Sequence, residues 1–235
     1  MNELGEQEAF LSTIAQKLGR PRLRGVVPAE WKSNALHQQE TEEMHDRERS
    51  IQQFINNLRI LHTQVDRVTP SEFLSKLHEA LSKFQVNSVI YWNDVRLISL
   101  GVKEALEKNQ IESRTFSGKQ EKQVFRSYAA RADAGIAFAE LGVAETGTVV
   151  LFNRGDSGRM VSLLPPVFIA VLFENQVFPS LSTAMKKINQ DVPEQLPACI
   201  NFITGPSRTG DIEMDLAFGV HGPGKVHVML IKSEN

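Results

Sequence analysis

The sequence predicts an α/β fold: a mixed, largely parallel sheet flanked by helices, with an N-terminal helical arm. Three observations predict it. The first third carries apolar residues at helical spacing, short β-branched runs alternate with helical segments after Pro70, and strands dominate beyond Ala134. Such alternation favours βαβ units, because parallel strands need helical crossovers. With 235 residues, 41% of them hydrophobic, the chain is long enough to bury roughly 70% of its unfolded surface.

The elements follow in order. Phe10, Leu11, Ile14 and Leu18 share one face of a first helix, and Gly19 followed by Pro21 stops it. A polar connector with Pro28 and Trp31 leads to a longer helix from about Glu40 to Val65. Along one side of it run Met44, Ile51, Phe54, Ile55, Leu58, Leu61 and Val65. This stripe needs a covering surface, either the body of the same chain or another subunit, self-association included. Residues 1–66 are thus read as the arm and 67–235 as the α/β domain.

In that domain Thr69 caps, and Pro70 opens, a helix over Ser71 to Phe84. Ser88 to Trp92 reads as a buried strand, Gly101 to Lys108 as a helix, Ile111 to Phe116 as a strand and Lys119 to Ala132 as a helix. Further strands are expected at Ala134 to Phe138, Thr148 to Phe152, Val161 to Leu163 and Val167 to Phe173, with turn-rich Asn153 to Gly158 closing a hairpin. A helix from Leu181 to Gln190, a strand from Ala198 to Ile203, a Gly-Pro-Ser loop and a last strand from Lys225 to Ile231 complete the chain.

Composition excludes several function classes. Lys plus Arg number 26 against 28 Asp plus Glu, a net charge of −2, so the broad basic face of a nucleic-acid binder is absent. One cysteine, Cys199, closes no intrachain disulfide and supplies no thiolate set for zinc or iron–sulfur clusters. Together with the acidic start Met1 to Glu8 and the lack of a long apolar run, it points to a cytoplasmic protein without a membrane span. The six histidines, at 37, 45, 62, 78, 221 and 227, have neither HExxH spacing nor a cysteine cluster, so no metal site is expected.

Four local matches are discarded. Gly155-Asp156-Ser157-Gly158 resembles a protease nucleophile segment, and Arg154-Gly155-Asp156 an integrin-binding tripeptide, but both use ordinary turn residues in the wrong fold or compartment. Gly219 to Gly224 lacks the GxGxxG order, and Gly205 to Thr209 is not GxSxG.

Three segments share a chemical character that suits anions. In Leu141 to Thr148, Thr146, Gly147 and Thr148 can cradle a carboxylate or phosphate, and Glu145 could serve as general base or nucleophile. Shaping a turn is the plain alternative. In Thr204 to Glu213, the Gly205 turn carries Ser207, Arg208 and Thr209, two hydroxyls and a donor fork, with Asp211 and Glu213 in support or as caps. Its place after an expected strand suggests a ligand loop at a sheet's carboxyl edge. In Gly219 to Gly224, Gly222 permits close approach, and His221 either transfers a proton or bonds to backbone. Arg159 is a further counter-charge or simply a surface residue, and Cys199 is expected to be buried and inert.

Glu145-Thr146-Gly147-Thr148-Val149-Val150-Leu151, Cys199 to Ser207, Asp211-Ile212-Glu213-Met214 and Gly219-Val220-His221-Gly222-Pro223 together resemble the family built on the lactate utilization (LUD) domain. The likeness extends to Leu18-Gly19-Arg20 and Trp31-Lys32, with Gly210 standing where relatives usually have Ala. The resemblance implies the fold of ribose-5-phosphate isomerase, coenzyme A transferases and 5-formyltetrahydrofolate cyclo-ligase. It implies action with two iron–sulfur partner proteins in oxidising L-lactate to pyruvate, this chain holding no redox cofactor and binding a small carboxylate or phosphate. Glu145-Thr146-Gly147 is also similar to the Glu-x-Gly turn that bears the catalytic glutamate of coenzyme A transferases, which implies the alternative of a stand-alone transferase, ligase or isomerase.

Overall fold

Four largely apolar runs at the centre and two more polar ones at the edges build one parallel sheet. A computed structural model describes residues 3–21, 47–116, 122–191, 197–210 and 216–233. The chain divides into two compact units, Met1–His37 and Gln38–Asn235. In the first, helix α1 spans Glu3–Lys17, with Phe10 and Leu18 exposed.

The second unit opens with α2 (Arg47–Ile60), β1 (Gln64–Val68), α3 (Phe73–Lys83), β2 (Ser88–Trp92), α4 (Val95–Ser99), α5 (Val102–Lys108) and β3 (Glu112–Phe116). There follow α6 (Lys122–Ala129), β4 (Ala134–Phe138), β5 (Leu141–Val143), β6 (Thr148–Asn153), α7 (Met160–Leu163) and β7 (Val167–Phe173). The chain continues with β8 (Val177–Phe178), α8 (Leu181–Asp191), β9 (Cys199–Ile203), β10 (Arg208–Gly210), β11 (Leu216–Phe218) and β12 (Lys225–Ile231). The main sheet has the order β1-β12-β7-β4-β2-β3, every pair parallel. A smaller sheet, β8-β5-β6-β9, is mixed, and β10 pairs with β11 as an antiparallel ribbon. The α/β class and the largely parallel sheet are as expected.

The central strands explain why the sheet is parallel. Ala134 to Phe138 and Val167 to Leu172 are buried throughout, as strands covered on both faces require. The crossovers follow their own local signals. Before α3, Glu72 N–H and Thr69 Oγ1 are 3.3 Å apart, and Thr69 N–H donates to Glu72 Oε2 at 2.9 Å. That is the reciprocal arrangement of a capping box.

Several expectations are corrected. The helix expected to run to Val65 ends at Ile60: His62 takes φ +61°, and Thr63 N–H closes on Leu58 C=O at 2.9 Å. Gln64–Val68 is then the edge strand of the main sheet, so residue 66, the expected end of the arm, lies within a strand. Ile51, Phe54, Ile55 and Leu58 are buried in the core of their own chain, which answers what covers the stripe, while Met44 lies outside the described residues.

Val161 to Leu163 belongs to a helical turn, not a strand. It packs on β4 where Gly135 leaves room; a Cβ there would meet Val161 C=O at 1.8 Å. Asn153 to Gly158 therefore closes no hairpin, and the true antiparallel partner of β6 on that side is β9. The helix expected over Lys119 to Ala132 is described from Lys122 to Ala129. Cys199 is half-buried rather than buried.

Candidate functional site

The three segments singled out in the sequence meet in space. Ala144–Thr146 forms a single 3-10 turn that Gly147 closes at φ +61°. Asn57 of α2 anchors it, its Nδ2 donating to Ala144 C=O at 2.8 Å and Glu145 C=O at 3.0 Å. A Cβ on Gly147 would come within 2.9 Å of the Asn57 carbonyl carbon and the Leu58 nitrogen, so glycine is what lets the turn sit on the helix.

Thr148 is buried, and its Oγ1 lies 2.7 Å from Thr146 Oγ1 and 2.8 Å from Thr204 Oγ1. These three hydroxyls form a chain from the exposed Thr146 to the exposed Thr204. The following loop is pinned twice. Gly205, at φ +80°, passes Leu61 C=O, to which Arg208 Nη2 donates at 2.7 Å. Ser207 N–H donates to Pro223 C=O at 2.9 Å, Gly219 N–H donates to Ser207 C=O at 3.0 Å, and Gly222 has room for no more than contact with Ser207 Cβ.

The roles within this junction differ from the simplest expectation. Glu145 is exposed, and its Oε1 accepts the Leu181 N–H at 2.5 Å, at the first residue of α8. A carboxylate there is stabilised by the helix dipole and answers one of its unpaired donors. Arg208 caps the carbonyl left over at the end of α2. Thr209 lies in β10 opposite Ala217, His221 is exposed in its loop, and Asp211 and Glu213 lie outside the described residues.

The junction also lies elsewhere than expected. The loop after Thr204 leaves β9 of the smaller sheet, while Leu61 and Gly222 precede β1 and β12. It therefore stands at the amino ends of two parallel strands, not at their carboxyl edge. Asn57, Leu61 and Pro223 were missed because they contribute through an amide or main-chain carbonyl, to which no residue spacing points.

Two polar clusters, one beyond the carboxyl ends of β2 and β4 and one between β1 and β12, were also missed. Arg96 lies between Asp94 and Glu140, with Nη2 at 2.6 Å from each, and over the Phe138 ring at 4.2 Å. Burial works against its charge, but the two carboxylates hold its pKa above the usual arginine value. His227 is buried on β12, Nε2 2.9 Å from Asp66 Oδ2 but out of hydrogen-bond alignment, and burial pushes its pKa down. Among the described residues no group of three His, Cys, Asp or Glu is placed to hold a metal, and no helix is long and apolar enough to cross a membrane.

Comparison with known proteins decides the family. Residues 51–231 match the LUD domain. The chain belongs to the LUD domain family. Among LUD relatives, lactate utilization protein C of Bacillus subtilis is 36% identical over 233 residues, covering 96% of this chain and 95% of its own. Lactate utilization protein C 1 of Bacillus mycoides is 33% identical over 236 residues, covering all of both chains. The crystal structure of a DUF162 family protein from Deinococcus radiodurans superposes with a TM-score of 0.60 at 22% identity, over 79% of this chain and 98% of its own. That likeness shows the fold.

Proposed function

We propose that this LUD-domain chain serves lactate utilization as a subunit, without a redox cofactor of its own, of an iron–sulfur-dependent system that oxidises L-lactate to pyruvate. The observation that carries the reading is the near full-length similarity to lactate utilization protein C, which its relatives bear as a name. Oxidising lactate to pyruvate releases two electrons and two protons. With Cys199 as its one thiol, this chain has no thiolate set for a cluster, so the electrons pass to clusters on two partner proteins.

Within the subunit, the Thr146–Thr148–Thr204 hydroxyls and the Ser207–Thr209 loop are the proposed seat of a small carboxylate or phosphate. Hydroxyls and a guanidinium fork are chemically suited to such an anion. The test is co-purification from lactate-grown cells, followed by lactate-dependent reduction of an artificial acceptor with and without this chain. Loss of turnover on omission is expected; lactate oxidation by the isolated chain overturns the reading.

A second reading has Glu145 as nucleophile or base of a stand-alone transferase, ligase or isomerase. Its exposure on a glycine turn favours this, whereas the bond to Leu181 N–H gives the carboxylate a structural duty. It predicts a thioester at Glu145 on incubation with acyl-coenzyme A, or turnover of a phosphorylated metabolite, and falls if Glu145→Gln leaves all such activity and ligand binding intact.

A further inference from the structure

The strand pair β6–β9 has a second functional end. Its register sets Val149 opposite Ile203 at the hydroxyl junction and Asn153 opposite Cys199 at the far end. A six-residue strand separates the two ends by roughly 17 Å at about 3.3 Å per residue. At the far end a cleft of about 340 Å³ opens between loop 154–159 and the start of β9, with Arg154, Ser157, Arg159 and Cys199 in its walls. That volume falls within the size of small-molecule sites.

The loop is held in shape. Trp92 Nε1 donates to Gly158 C=O at 2.9 Å, and buried Asn153 donates through Nδ2 to Ser157 C=O at 2.8 Å. Asn93 Nδ2 donates to Asp156, the loop's one carboxylate, at 3.3 Å. Neither arginine is ion-paired among the described residues, and the Arg154 guanidinium lies 5.2 Å above the Phe152 ring. Position adds a separate argument. Trp92 and Asn93 stand at the carboxyl end of β2, which lies between β3 and β4 in the sheet. The chain passes from β2 outward to β3 and returns to the other side at β4, and open α/β sheets take ligands beside that reversal, at the carboxyl ends of the strands.

We propose that this cleft binds a compact oxyanion carrying at least two negative charges, bracketed by Arg154 and Arg159, at a site separate from the Thr148–Thr204 junction. Two guanidinium forks suit phosphate or a dicarboxylate and have no use for two charges against a monocarboxylate. The site stands whether or not the subunit reading above holds.

The experiment is calorimetric titration of the full chain at low ionic strength with inorganic phosphate, malonate and acetate. Phosphate or malonate is expected to bind at least tenfold more tightly than acetate, and whichever is preferred names the chemical source. The titrations are made in the Thr148→Val/Arg208→Ala background, which takes out binding at the junction, and there Arg154→Ala/Arg159→Ala weakens the remaining binding at least tenfold, with circular dichroism and melting confirming that each variant folds. In that background, unchanged affinity on loss of the two arginines, acetate equal to phosphate, or no measurable binding of phosphate and malonate overturns the proposal.

Discussion

Gly147→Ala is expected to cost about 2–4 kcal/mol in urea unfolding: a left-handed φ is unfavourable for any β-carbon, and this one also meets the backbone of α2 at 2.9 Å. Gly155→Ala, also at positive φ but with nothing within 4 Å, should cost distinctly less. A glycine turn at 147 was legible in the sequence, but the helix it touches was not, since Asn57 lies 87 residues before Ala144. His227 is one of six scattered histidines, and burial of a polar residue on a strand leaves no spacing signature. Its effect is expected in the pH dependence of stability. Burial lowers the folded-state pKa; Asp66 pulls it up in part and Lys83 lowers it further. Below the unfolded value of about 6.5, the unfolded chain gains a proton that the folded chain refuses, so stability falls as pH drops from about 7 towards the depressed pKa. Urea midpoints of His227→Gln should lose part of that slope; an unaltered slope would assign it to other groups.

Among elements, the long patterned ones were legible and the short junctions were not. β2, β4, β7 and β12 announce themselves as nearly continuous apolar runs and α3 by apolar residues at helical spacing, whereas Leu61 and Val65 continue the helical period of α2 beyond its real end. The left-handed turn at His62 breaks that helix, and no glycine marks it. The three residues Val161 to Leu163, two of them apolar, suit a strand or a helical turn equally. The same confusion hid what α2 does. Leu58, 1% exposed, lies against its own core, so Leu58→Glu should unfold the chain rather than detach a partner, and Leu58→Ala should cost about 2–5 kcal/mol in denaturant melts. Arg67 of β1 ties three elements, pairing with Glu48 at 2.7 Å and with the buried Glu174 after β7. Arg67→Met leaves Glu174 buried without its partner, at an expected cost of about 3 kcal/mol. The Glu48 carboxyl, which Arg67 and Gln52 hold at about 2, should return towards the ordinary range, as NMR titration would register.

At the scale of the molecule, the reversal between β2 and β4 is occupied by the chain's own charges. Arg96 bridges Asp94, just after β2, and Glu140, just after β4, and covers Phe138. The crevice in which such sheets ordinarily take a ligand is thereby closed at its centre; the arginine cleft lies beside it, while the hydroxyl junction lies at the amino ends of β1 and β12. Arg96→Ala tests this arrangement. Removing the guanidinium leaves two carboxylates facing one another with no cation between them, at an expected cost of about 3 kcal/mol in denaturant melts. In the Asp94→Asn/Glu140→Gln background the same substitution should cost distinctly less, since no like charges are left to repel. Denaturant midpoints of the four proteins read this directly. An equal cost in both backgrounds would mean that Arg96 acts through its packing on Phe138 rather than as the charge that closes the crevice.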